Sequence, residues 1–113
     1  MIWHPELEKR WSTFPEYQQI LMICNELNRA NNLQDDLKEY KNALERALEL
    51  MDFAIDDERI RPKLREFLRA RELVAGLYID PEPRPTKALQ KALIQFSPEA
   101  WCYVHGLKND QRN

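Results

Sequence analysis

Few side chains in this sequence have the chemistry of a reactive site, and most of them stand alone. The histidines, His4 and His105, lie near opposite ends of the 113 residues. Neither follows a glutamate by three positions, so the Glu-x-x-His pairs of a di-iron helical bundle are missing, as is His-Glu-x-x-His. Two histidines without further ligands make a weak metal site. Cys24 and Cys102 are the only thiols. Cys24 falls on an apolar helical face with no basic neighbour in sequence to activate it. Cys102 precedes His105 by one helical turn, close enough to touch, but no third group orients the pair. Both are expected to be buried, reduced thiols. Ser12 and Ser97 precede or cap helical patterns, where a hydroxyl has a structural use. The pairs Asp35-Asp36 and Asp56-Asp57 also fall at helix starts, and acid–base work would require them in a cleft. These residues imply no catalytic constellation, and neither a metal nor a cofactor is expected.

The arginines form the one cluster with a clear geometry. Arg61, Arg65 and Arg69 recur every four residues and make a ridge along one helix. Such a ridge can hold phosphates, with an affinity that falls steeply as salt rises. The surrounding charge suggests a structural use first. From Asp35 to Asp57 there are eight acids against three bases, a net of -5. From Glu58 to Glu72 there are six bases against three acids, a net of +3, and Pro83 to the end is again +3, five bases against two acids. An acidic helix beside a basic one is expected to pair antiparallel, its flanking charges choosing the register. Nucleic-acid binding by the ridge is the alternative, and the overall charge of -2 works against it. Arg71 stands where the seventh-residue repeat asks for an apolar side chain. It therefore needs Glu26, Glu45 or Asp52 as a partner, or forms a polar pocket for a carboxylate or phosphate. Arg61, Arg65, Arg69 and Arg71 are thus the candidate anion contacts.

The elements that would position these groups read as helices. Residues 4–11 suit a short helix, with Pro5 at its first position and acids before bases along it. Trp3, Leu7 and Trp11 share its apolar face. Thr13 and Glu16 have the spacing of a capping box. The helix they open carries Tyr17, Ile20, Leu21, Cys24, Leu27 and Ala30 as its stripe, with Ile23 at the edge. It is expected to break between Asn31 and Gln34, where neither Gly nor Pro marks the place. Leu37, Tyr40, Leu44, Ala47, Met51 and Ala54 then give the clearest periodicity, over roughly 22 residues, with Asp35 and Asp36 in the first turn.

Asp56-Asp57 cap a third main helix with Pro62 at or before its first regular turn and Ile60, Leu64, Phe67, Leu68, Val74, Ala75 and Tyr78 as its stripe. Gly76 is either a weak point in it or a place where another helix passes closely. The stiff Pro81-Glu82-Pro83-Arg84-Pro85 connector leads to a shorter helix with Leu89, Ala92, Leu93 and Phe96 on one face. Ser97-Pro98-Glu99 restarts a last short helix, and Gly106 supplies a left-handed cap. The fold expected is all-α: an antiparallel bundle of three main helices, a shorter fourth and small terminal helices, forming one domain over residues 1–113.

Composition excludes several functions. Two glycines leave little for a phosphate-cradling loop, a tight hairpin or a Rossmann turn. No apolar run has the length of a signal peptide or a membrane span, so a soluble, cytoplasmic protein is expected, without a membrane partner. Apolar residues beyond the main seam, Leu50 and Phe53, together with Trp3, Trp11 and Trp101, are the candidate interface. They suggest a small interaction or adaptor protein, a homodimer or the binder of a protein partner, with Phe53 or Leu50 inside the contact and tryptophan at its edge.

Overall fold

The computed structural model describes residues 5–106. Within them the chain forms α1 (Pro5–Arg10), a 3₁₀ turn (Trp11–Thr13), α2 (Glu16–Asn32), α3 (Leu37–Ile55), a second 3₁₀ segment (Glu58–Lys63), α4 (Leu64–Ile79), α5 (Lys87–Ile94) and α6 (Pro98–His105). The break expected between Asn31 and Gln34 is present. It is a tight turn in which the Leu33 amide bonds Ala30 O at 3.0 Å and the Asp36 amide bonds Leu33 O at 2.9 Å. Asp36 is the N-cap of α3 rather than a first-turn residue, and its carboxylate accepts from the Glu39 amide at 3.2 Å. Asp57 opens the 3₁₀ segment in the same way, accepting from the Arg59 amide, and Pro62 lies inside that segment. Ser97 caps α6 and Gly106 closes it at φ 69°, both as the sequence implies.

The capping box at Thr13 does not form. Thr13 belongs to the 3₁₀ turn that continues α1, and its hydroxyl donates back to Arg10 O at 2.6 Å. Helix α2 starts after Pro15, whose carbonyl accepts from the Gln18 and Gln19 amides.

Side-chain contacts fix the helix directions. Along α3 the partners run from Glu45 to Asp52 while along α4 they run back from Tyr78 to Arg71, one heptad in opposite senses. The Thr86 hydroxyl reaches Leu27 O and the Cys24 thiol reaches Gln90 O, so α5 runs antiparallel to α2. Gln19 near the start of α2 meets Asp57 just beyond the end of α3. Helix α2 packs on α3, α3 on α4, α4 on α5, and α5 returns to α2, a closed ring of four. Helix α6 lies against α2 and α5. The bundle is antiparallel and all-helical, with three main helices, a shorter fourth and small terminal ones. Among the described residues no helix is long and apolar enough to cross a membrane.

The core follows the periodicity with informative exceptions. Ile20, Ile23, Leu27, Tyr40, Leu44, Ala47, Met51, Phe67, Val74 and Leu93 are buried. Ile23 is central rather than marginal. Leu37 and Leu68, expected in the seams, are exposed, because Leu37 is the first residue of its helix and Leu68 lies on the outer side of α4. On α4 the buried line is Phe67, Ala70 and Val74, whereas Leu64, Arg71 and Tyr78 form a half-buried flank. Arg71 thus occupies a boundary, not the core. On α5, Ala92 is exposed and Ile94 takes the buried place. A Cβ on Gly76 would meet nothing within 4 Å, so no neighbouring helix requires that glycine.

Polar side chains tie the ring shut. The Tyr40 hydroxyl donates to Arg84 O at 2.9 Å and accepts from the Arg84 amide at 3.0 Å, holding the proline connector against α3. Thr86 is buried; its amide bonds Asn31 Oδ1 at 2.9 Å and its hydroxyl Leu27 O at 2.6 Å. Lys41 donates to Tyr78 O and Asp80 O at the end of α4, and Lys63 to Phe96 O beyond the end of α5. Carbonyls at helix ends lack intrahelical donors, and an ammonium supplies both hydrogen bond and favourable charge.

Candidate functional site

The tryptophans and the apolar residues of α3 occupy different surroundings from those expected. Trp11 is 2% exposed, Leu50 5% and Phe53 8%. The Trp11 indole meets the Phe53 ring edge-on at 5.7 Å and Phe14 at 6.3 Å. The segment after α1 therefore folds over the C-terminal half of α3 and covers Phe53 within one chain. The expectation that Leu50, Phe53 and Trp11 form an intermolecular surface is corrected on that ground. Trp3 and His4 lie outside the described residues. The Trp11 Nε1 has no hydrogen-bond partner among the described residues, and Trp11 borders a small open hollow with Glu8, Asp56 and Asp57.

Trp101 remains 38% exposed on α6, where Tyr103 and Val104 are exposed as well. The His105 ring stacks on the Trp101 indole with centroids 4.1 Å apart and planes inclined by 26°. His105 Nδ1 sits 2.8 Å from Trp101 O. A carbonyl only accepts, so Nδ1 carries the hydrogen and Nε2 is left for other partners. Cys102 is half-buried rather than buried, and both cysteines are free.

The arginines separate into two groups. Arg71 makes a two-point contact with Asp52 of α3, Nε to Oδ1 at 2.6 Å and Nη2 to Oδ2 at 3.2 Å. Asp52 is half exposed and Arg71 about one third exposed, so this is a boundary pair and not a buried charge. Of the three acids expected as partners, Asp52 is the one that pairs with Arg71. Arg61, Arg65 and Arg69 are exposed, and none of their side chains makes an ion pair or hydrogen bond among the described residues. The pairing of those arginines with the acidic helix is therefore corrected, as is their single ridge: Arg71 contacts α3, Arg61 lies in the 3₁₀ segment ahead of α4, and Arg65 and Arg69 stand on the outer side of α4. Arg65, Arg69, Leu64, Leu68 and Glu72 line one shallow hollow on the outer side of α4. Leu73 and Ile79, 55% and 76% exposed, continue the apolar content of that helix into solvent.

A second surface was not foreseen. A groove of about 410 Å³ runs between α2, α5 and α6. Leu21, Cys24 and Ile94 supply its apolar side, and Trp101, Val104 and His105 come from α6. Asn25, Asn28, Gln90 and Gln95 add amides, and Lys87 and Lys91 add ammonium groups one turn apart. Among the described residues no carboxylate lines it. Cys24 donates weakly to Gln90 O at 3.8 Å, and burial pushes its thiol up to about 12. It is therefore a packing group, not a nucleophile. The signals in the sequence were the four-residue spacing of Lys87 and Lys91 and the asparagines of α2, which propensity explains equally well as a fraying helix end.

Near the other end of α3, Asp57 receives Arg59 Nη2 at 2.7 Å, Arg59 Nε at 3.0 Å and Gln19 Nε2 at 3.1 Å. The Arg59 side-chain bonds, chiefly, hold its carboxyl well below the usual carboxylate range. Gln19 also bonds Trp11 O, so this network joins the 3₁₀ turn after α1, helix α2 and the second 3₁₀ segment. Among the described residues, no three His, Cys, Asp or Glu side chains come together as a metal site. No family model, curated protein or solved structure matches the chain.

Proposed function

We propose that the protein is a small, non-catalytic, cytoplasmic interaction protein that acts as a homodimer through the outer face of α4. The observation that supports this reading is the self-complementary order of that face. Arg65 and Glu72 lie two turns apart on the same side, with Leu68 between them. If two α4 helices cross antiparallel about a two-fold axis near Leu68, Arg65 of each copy lies against Glu72 of the other. A two-fold interface repeats every contact, so one such pair is made twice. In that register Leu68 of each copy lies against Arg69 of the other, where the arginine stem adds apolar cover. Surface ion pairs contribute little individually, so the dimer is expected to be weak, with micromolar affinity.

Sedimentation across a dilution series tests this. A mass above 13.6 kDa that falls on dilution is expected. Arg65→Glu should weaken association, and the double variant Arg65→Glu/Glu72→Arg should restore it. A 13.6 kDa species at every concentration, or failure of the double variant to recover association, overturns the reading.

One observation favours a second reading. Arg61, Arg65 and Arg69 have no acidic partner among the described residues, which suits a phosphate backbone. Glu66 and Glu72 interrupt the ridge, and the charge of -2 opposes long-range attraction. Salt-sensitive retention on RNA or DNA, lost on replacing all three arginines by alanine, would favour this reading over the dimer.

A further inference from the structure

The groove between α2, α5 and α6 is separate from the α4 face and carries its own chemistry. Its charge is one-sided. Lys87 and Lys91 project from consecutive turns of α5, and no carboxylate among the lining residues neutralises them. Among the described residues Lys87 has only a long contact, to the Asn28 amide oxygen at 3.4 Å. Two ammonium groups so placed suit an anion with several oxygens better than a single carboxylate. The rest of the lining is not that of a bare phosphate site. Trp101 offers an indole still 38% open to solvent, and His105 braces it by stacking. Leu21 and Ile94 give an apolar wall, and Asn25 and Asn28 carry amides able both to donate and to accept. About 410 Å³ falls within the range of sites for small organic ligands.

We infer that this groove binds a small phosphate-bearing anion with a planar heteroaromatic body, of the nucleoside monophosphate class. The phosphate lies between Lys87 and Lys91. The ring lies on the Trp101 side, where stacking does not depend on which base it is, and the amides of Asn25 and Asn28 read its edge. Burial keeps the Cys24 thiol at the groove inert, so the ligand is bound and not covalently modified there. Base selectivity is expected to be modest, since one pair of amides can reorient to suit different ring edges.

The experiment is a titration of the full chain with each of the four common nucleoside monophosphates, followed by calorimetry and by NMR of the side-chain amides and the indole N–H groups. Inorganic phosphate, the unphosphorylated nucleoside and a single-stranded oligonucleotide serve as comparison probes. Saturable binding of at least one monophosphate is expected, with the Trp101 indole and the Asn25 and Asn28 amides shifting. Replacing Lys87 and Lys91 together by alanine should weaken it by roughly tenfold or more. Trp101→Phe should weaken it by a smaller factor, since a phenyl ring still stacks. All three residues are exposed, so a thermal melt unchanged in the variants confirms that folding is intact. The proposal is overturned if no monophosphate saturates, or if phosphate alone or the nucleoside alone binds as tightly as the monophosphate. It is also overturned if the oligonucleotide binds while the mononucleotides do not, or if the double lysine variant binds like the parent.

Discussion

Tyr40 shows how much one polar atom can hold. Its ring is fully buried in the α3 seam, as the periodicity requires, while its hydroxyl bonds both backbone groups of Arg84. Tyr40→Phe keeps the ring and strands those two groups. A loss of about 1–3 kcal/mol is expected, because an unpaired partly buried polar group costs its desolvation. Urea denaturation measures it, and a midpoint equal to that of the parent would show that the connector does not depend on this latch. Asp57 makes a pH-dependent contribution instead. Its folded carboxyl is held below its ordinary value by Arg59 and Gln19. The stabilisation is therefore full above the unfolded carboxylate value of about 4 and is lost as pH falls through the depressed folded value. Asp57→Asn should lower the melting temperature at neutral pH, with the gap to the parent closing on acidification. The effect is small because Arg59 is open to solvent. A gap that is constant from neutral to acid pH would remove charge from the explanation. The Tyr40–Arg84 and Asp57–Gln19 contacts were not legible in the sequence, since they join residues 44 and 38 positions apart and rest on side-chain reach, whereas the Asp57–Arg59 bond is local.

At the scale of elements, the sequence was most legible where one physical cause acts locally. The α3 seam, the Ser97 cap and the Gly106 terminus follow from spacing and from single-residue conformational preference. Local pattern misleads where two causes compete. Thr13 has the chemistry of a cap, yet it lies inside the 3₁₀ turn after α1, its hydroxyl turns back to Arg10 O, and α2 starts only after Pro15. Arg71 continues a heptad that marks the flank of α4 rather than its buried line, so a charge there breaks no rule. Leu50 and Phe53 looked surplus only because the pattern on α3 does not disclose that Trp11 returns to cover Phe53. The site was less legible than the fold: the α4 ridge is visible as a spacing, but a groove made by three helices is not. Gly76 is an element-scale test. It sits inside α4 with space around it, so Gly76→Ala should stabilise the protein by about 0.5–1 kcal/mol through helix propensity and a less flexible unfolded chain. A lower melting temperature would mean that the glycine serves a contact outside the single chain.

For the molecule as a whole, the four-helix ring ranks its parts by how thoroughly they are enclosed. Helix α3 is lined by buried residues along nearly its whole length, whereas α6 has only Ala100 buried. Amide exchange should therefore be slowest in the middle of α3, near the limit set by global unfolding, and much faster in α6. Equal protection in both would contradict that ranking. The ring also has a temporal order. Helices α2, α3 and α4 meet through neighbouring hairpins, but α5 meets α2 across 59 positions from Leu27 to Thr86. The entropy of closing so long a loop is recovered only when α5 docks, which places this contact late in folding. The groove that carries Lys87, Lys91 and Trp101 exists only after that final docking. Any ligand it holds therefore acts as a clasp on the last-formed joint of the bundle, so occupancy would slow the opening of α5 and α6 more than that of the hairpins beneath them.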